Sequence, residues 1–204
     1  MQITIIGTGN MARGIGTRAV AGGHDVTVVG TEPEKAQALA GELGGSARAG
    51  ERVEGDVVVL AVPYAAAADV VKTYGDQLDG KVVVDITNPI DVDAFEPLVL
   101  DAGSAAQEIA GKAPGAKVAK AFNTTFAGTL VQGEVAGQPL DVLVAADDEE
   151  AKRTVSRIAE DAGLRAVDAG PLAHAQQLEG LGYLHMAIQD SLGTGYGSTV
   201  KVLA

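Results

Sequence analysis

The residues with the clearest capacity for chemistry lie near the start, in "ITIIGTGNMARGIG". Gly7-x-Gly9-x-x-Ala12 follows a β-branched apolar run and opens a stretch that reads as a helix. Each small residue suits a turn that cradles a pyrophosphate. Gly7 permits the tight bend, Gly9 lets backbone approach the phosphates, and Ala12 lets helix and strand pack closely. The free N–H groups of the helix start then face the anion. The spacing therefore predicts a dinucleotide site at the head of the chain.

A second apolar run ends in "VVGTEPEKA". Sites for NAD usually place an acid at this strand tip to hold the ribose 2′-hydroxyl. Gly30 stands there instead, so nothing at that position repels a 2′-phosphate, and Thr31 offers a hydroxyl donor. Thr31-x-x-Glu34 also reads as a capping box for the next helix, a compatible role. Glu32 would oppose a 2′-phosphate or accept from a plain 2′-hydroxyl. NADP is the expected nucleotide and NAD the alternative.

The remaining polar candidates suggest no nucleophile and base. The chain has no cysteine. His24 sits in "GGHD" and reads as a solvated turn residue. His174 and His185 are expected on one helix, about three turns apart and on a shared face, too far apart for one metal ion. "DDEE" at 147–150 reads as a helix start whose acids complement the dipole. Lys120 ends an apolar run and either contacts phosphate or ribose, or pairs with Asp85.

The elements that must position these residues alternate. Runs rich in Val and Ile occur at 3–7, 25–30, 56–62, 81–86, 116–122 and 141–146, separated by stretches rich in Ala, Leu, Glu and Lys. Continuous apolar runs suit strands covered on both faces. Their alternation with helices predicts an α/β fold: a Rossmann-like, doubly wound, mostly parallel sheet. We expect residues 1–146 to form the dinucleotide-binding domain and 147–204 a small C-terminal α/β extension packed on it. That extension should hold a helix, a strand "RAVDAG", a long helix from Pro171, and a hairpin or edge strand in "GTGYGSTVKVLA".

Composition narrows the function. Of 204 residues, 47% are hydrophobic, enough for a sizeable core, and the net charge is −12. A strongly acidic chain with 3% aromatics argues against nucleic acid or an anionic membrane as partner. No apolar run approaches the length of a membrane span. The expectation is a cytoplasmic protein whose partners are small-molecule cofactors.

"GTGNMARGIG", "VVGTEPEKA", "LAVPY", "KAFNTTFA" and "VDAGPL" occur in the order seen in the NADPH-dependent coenzyme F420 reductases, and the chain resembles that family over nearly its whole length. It is also similar to the nucleotide-binding domain of membrane ferric reductases. The resemblance implies hydride transfer between NADP(H) and a deazaflavin, coenzyme F420, or a flavin, by a homodimer. It implies that Thr8, Gly9, Asn10 and Met11 line the pyrophosphate loop beside Gly7, that Thr31 sits by the 2′-phosphate, and that Ala61, Val62 and Pro63 border the cofactor. Asn88, Pro89, Asn123 and Thr124 would lie near the nicotinamide and the second ring. Members commonly carry Arg where this chain has Glu32, His where it has Asn123, and Arg near Gln176 and Gln177. Positioning rather than acid–base chemistry would carry such a reaction. The alternatives are an NAD(P)H-dependent reductase of a small metabolite and a non-catalytic NADP(H) sensor. Metabolite reductases of this build usually add over a hundred residues of helix, and only about sixty follow residue 146.

Overall fold

The structure, a computed structural model, describes residues 1–203. The chain opens with β1 (Gln2–Ile6), α1 (Asn10–Ala21), β2 (Asp25–Val29), α2 (Pro33–Leu43) and β3 (Ala47–Ala49). Next come β4 (Val57–Leu60), α3 (Tyr64–Tyr74), β5 (Val82–Asp85), and a ribbon of β6 (Ile90–Asp91) and β7 (Glu96–Pro97). They are followed by α4 (Ala105–Lys112), β8 (Lys117–Lys120), α5 (Ala127–Gln132), and a ribbon of β9 (Glu134–Val135) and β10 (Gln138–Pro139). The last elements are β11 (Asp141–Ala146), α6 (Glu149–Asp161), β12 (Arg165–Gly170), α7 (Ala175–Ala187) and α8 (Gln189–Leu192).

Eight strands make one sheet in the order β12-β11-β8-β5-β4-β1-β2-β3. The run from β8 to β3 is parallel; β11 pairs antiparallel to β8, and β12 runs parallel to β11. This is the Rossmann-like sheet expected from the sequence, and β12, which follows residue 146, pairs with β11 in it. The continuous Val/Ile runs serve two cores because side chains alternate across a strand. Val57 and Val59 face one core, under α1, α2 and α6, while Val58 and Leu60 face the other, under α3 and α4.

Some elements depart from expectation. β3 was not foreseen, since "ARA" is short and mostly exposed and gains its order by pairing with β2. The long helix begins at Ala175; Leu172–His174 form a 3₁₀ turn after Pro171. The described tail, 193–203, forms neither hairpin nor edge strand. Side chains hold it instead: the carboxylate of Asp141 accepts from Lys201 Nζ (2.6 Å) and from the Val202 N–H (2.8 Å). His24 is buried, 3.1 Å from the Met1 amino group, where the turn was expected to be solvated. Acids at 147–150 do open a helix: Asp148 Oδ1 accepts from the Ala151 N–H at 2.8 Å.

Candidate active site

The strand order sets the ends of β2, β1, β4, β5 and β8 side by side along the carboxyl edge of the sheet, where open α/β sheets bind ligands. Gly7 leaves β1 at φ 127°, a backbone that side chains rarely adopt, and its N–H donates to Val29 O at 2.8 Å. A Cβ there would lie 2.1 Å from Ala61 O, so β1 and the end of β4 meet only across glycine. Ala12 is fully buried beneath the turn, and a Cβ on Gly14 would strike α5 at Ala127 O (2.9 Å).

Gly9 differs from its neighbours. It is the N-cap of α1 in ordinary extended backbone (φ −83°, ψ −174°), no side chain caps the helix, and a Cβ would meet no atom within 4 Å. The first N–H groups of a 12-residue helix therefore open onto empty space, with the positive end of the dipole behind them. That space is a cleft of about 340 Å³ lined by Ile6, Gly7, Thr8, Gly9, Gly30, Thr31, Ala61, Val62, Pro63, Val70, Thr73 and Tyr74.

Gly7, Thr8, Gly9, Thr31, Ala61, Val62 and Pro63 thus share one cavity. Asn10 and Met11 form the first turn of α1 outside that lining; Asn10 Oδ1 accepts from Arg13 Nη1 at 3.2 Å. Thr31 makes no capping box. Glu32 is the N-cap of α2 without a side-chain capping bond, and Pro33 supplies the first turn, so the Thr31 hydroxyl is left to the cleft. A Cβ on Gly30 would stand 2.8 Å from the Thr8 methyl, so a larger residue at the strand tip would require Thr8 to shift. Glu32 turns to Lys35, 2.6 Å away, in a pair about 60% exposed and therefore weak.

Further along the edge, Asn88 and Asn123 face each other across the ends of β5 and β8. Asn123 Nδ2 donates to Asn88 Oδ1 (2.9 Å), and Asn88 Nδ2 donates to Asn123 O (2.9 Å). Asn123 and Thr124 are buried, Pro89 is buried, and Asn88 is half-buried. Among the described residues, Thr87 Oγ1 and Asn123 Oδ1 are buried without hydrogen-bond partners. α7 closes over this end, and Leu178 O accepts from Asn123 Nδ2 at 2.8 Å.

The histidines part company. His174 is exposed, with Nδ1 2.6 Å from Ala169 O. His185 is buried, stacked on Phe126 at 4.3 Å, with Nδ1 3.2 Å from Thr124 O and Nε2 2.8 Å from Ser198 Oγ. Burial holds its pKa below the usual histidine value. The two do not share the face expected from their spacing. Lys120 settles on pairing: Nζ is 2.8 Å from Asp85 Oδ2 and 2.8 Å from Glu179 Oε1.

Residues 2–89 match the family described as NADP oxidoreductase, coenzyme F420-dependent. The chain is 32% identical over 200 residues to the F420-dependent NADP reductase of Methanothermobacter thermautotrophicus, covering 88% of this chain and 85% of that one. The chain belongs to the F420-dependent NADP reductase family. It is also 31% identical over 180 residues to the rat metalloreductase STEAP3, spanning 36% of that longer protein and 88% of its own length. A crystal structure titled as a putative F420-dependent NADP reductase from Arthrobacter sp. FB24 superposes with a TM-score of 0.86 at 26% identity, covering 99% of each chain.

For a member of the F420-dependent NADP reductase family, the residues sequence reasoning missed are the cleft wall on α3 and Glu179 on α7, a helix that was itself expected. Val70, Thr73 and Tyr74 wall the cleft from the last turns of α3. Their signal was faint, because "DVVKTY" reads as any amphipathic helix end. Glu179 carried a clearer signal: one acid inside the apolar run "LEGLGYLHMAI", facing one lysine at the end of another.

Proposed function

We propose that this protein transfers hydride between NADP(H) and coenzyme F420, as a homodimer in the cytoplasm. The observation that carries the nucleotide half is Gly9: an uncapped helix start that opens onto empty space inside a built cleft. Family membership supports the deazaflavin as acceptor.

The residues present fit a dinucleotide. The N–H groups at the start of α1 and the glycine turn would hold the pyrophosphate. Thr31, with Lys35 swung from its weak pair with Glu32, would take the 2′-phosphate. Val70, Thr73 and Tyr74 would wall the adenosine side, and Ala61, Val62 and Pro63 would support the chain of the cofactor. Continuing along the strand ends, Asn88, Pro89, Asn123 and Thr124 would form the floor at the nicotinamide end. Bound NADPH supplies the hydride; the protein aligns the two rings and excludes water. The dimer contact we assign to the exposed stripe Leu184, Ile188 and Leu192 beside Tyr183 and Phe95, whose rings are 5.8 Å apart.

The metalloreductase relative favours a second reading, in which the electrons go to a metal, directly or through the flavin that is the alternative acceptor. Rapid mixing of NADPH under anaerobic conditions with F420, FMN, FAD and ferric chelates tests both readings. Oxidation of NADPH by F420 supports the first reading and by a flavin or a ferric chelate the second. Tight NADPH binding with no acceptor reduced would leave a nucleotide sensor.

A further inference from the structure

Beneath the strand ends lies a cluster of charge that neither the nucleotide cleft nor hydride transfer itself uses. Lys120 is wholly buried, Asp85 is wholly buried, and Glu179 is 5% exposed. The ammonium's three protons find three acceptors: Asp85 Oδ2 at 2.8 Å, Glu179 Oε1 at 2.8 Å, and Thr87 O. Asp85 Oδ1 accepts from the Thr87 N–H at 2.9 Å. Thr87 is thus held by both of its backbone groups, immediately before Asn88. Glu179 in turn accepts from the Ala105 N–H at 3.0 Å, at the start of α4. One carboxylate on α7 ties that helix to β8 and α4.

The cluster is the first of three contacts spaced by three residues along α7. Gly182 follows: a Cβ there would stand 2.7 Å from Asn88 Oδ1 and 2.8 Å from Asn123 O. His185 is next, against Thr124 O. Glu179, Gly182 and His185 form one face of the helix and press on the segments that end β5 and β8. Stability alone is a poor reason for this design. Two carboxylates and one ammonium removed from water hold a helix no better than well-packed apolar side chains, and often worse. What such a cluster supplies is direction: each bond has one geometry, where apolar packing tolerates several.

We propose that Glu179, acting through Lys120 and Thr87, is a positioning residue for the ring end of the hydride-transfer site. It fixes Asn88 and Asn123 at the distance the two rings require. This rests on the oxidoreductase reading above. Neither Glu179 nor Lys120 lines the nucleotide cleft, so the proposal separates hydride transfer from nucleotide affinity.

The test compares Glu179→Leu with Glu179→Gln, which keeps the size and an acceptor oxygen, and with Gly182→Ala, which displaces the same asparagine pair without changing charge. In all three variants the balanced Lys120–Asp85 pair is left unsubstituted. NADPH affinity is measured by calorimetry and hydride transfer by single-turnover mixing with saturating F420, or with whichever flavin the wild type reduces. We expect Glu179→Leu and Gly182→Ala to slow transfer by about tenfold or more with NADPH affinity within about twofold of wild type, and Glu179→Gln to restore most of the rate. Transfer at the wild-type rate in folded Gly182→Ala and Glu179→Leu would overturn the proposal, as would a parallel loss of affinity and rate. If Glu179→Leu does not fold, Gly182→Ala and Glu179→Gln decide. A wild type that reduces no acceptor would instead overturn the oxidoreductase reading, and this proposal with it.

Discussion

Replacing Gly9 by valine separates the cleft from the fold. The backbone at residue 9 is extended, with φ −83°, so valine adopts it without strain, and its Cβ meets no protein atom within 4 Å. The residue is exposed, so folding stability should change by no more than about 0.5 kcal/mol. The new methyl groups instead fill the space in front of the first N–H groups of α1. A hydrogen bond to a charged group is worth about 1.5–3 kcal/mol, so losing two phosphate contacts removes about 3 kcal/mol or more. That is roughly a hundredfold or greater rise in the dissociation constant of NADPH. Calorimetric titration reads the affinity, and a thermal melt without ligand reads the fold. Gly7→Val provides the contrast: its Cβ would lie 2.1 Å from Ala61 O at φ 127°, so that variant should lose the fold itself. A folded Gly9→Val protein that binds NADPH within about threefold of wild type would refute the loop as the phosphate site.

Other perturbations reach different parts of the molecule. Lys120→Met leaves two buried carboxylates without their cation and should cost about 3–5 kcal/mol in urea unfolding; a loss under about 1 kcal/mol would contradict the cluster. Glu32→Arg removes the acid beside Thr31 and offers a two-pronged phosphate partner; NADPH should bind about tenfold tighter while NADH changes little. Wild-type preference for NADH would contradict the assignment of Thr31 and Lys35. Burial alone would raise the Asp141 carboxyl, but Arg165, Lys201 and the Val202 N–H outweigh it and hold it at about 2. A lowered pKa adds stability that is present above the ordinary value and is lost as pH falls through the folded one. About 2 kcal/mol should therefore disappear between roughly pH 4 and pH 2, and Asp141→Asn should flatten that slope. An unchanged slope in the variant would show that the tail is anchored otherwise.

The sheet was readable because its strands are buried on both faces. Val57–Leu60 and Val82–Val84 announce themselves as unbroken apolar runs, and the glycine turn marks where β1 stops. β3 was not readable, because three mostly exposed residues are ordered by their neighbour rather than by their own pattern. The phosphate end of the site was legible for a local reason: Gly7, Gly9 and Ala12 each answer a demand made within a few residues. Thr31 shows the limit of local reading, since Pro33 gives α2 another start and leaves the capping box unformed. The ring end was less legible because it is built by long-range contact. Asn88 and Asn123 are 35 residues apart, and Lys120 and Glu179 are 59 apart. Spacing could place each at a strand end or on a helix, but not against one another. His174 and His185 failed similarly: the 3₁₀ turn after Pro171 takes the first out of α7 altogether.

The central claim, direct hydride transfer to a ring acceptor, is tested most directly with a label. NADPH carrying deuterium at the transferring position of nicotinamide C4 is mixed with the protein and oxidised F420, and the reduced deazaflavin is analysed by mass spectrometry and NMR. The account predicts one deuterium on the reduced ring carbon, with no loss to solvent. Unlabelled product, or no reduction of F420 or any flavin by a protein that binds NADPH, would contradict it.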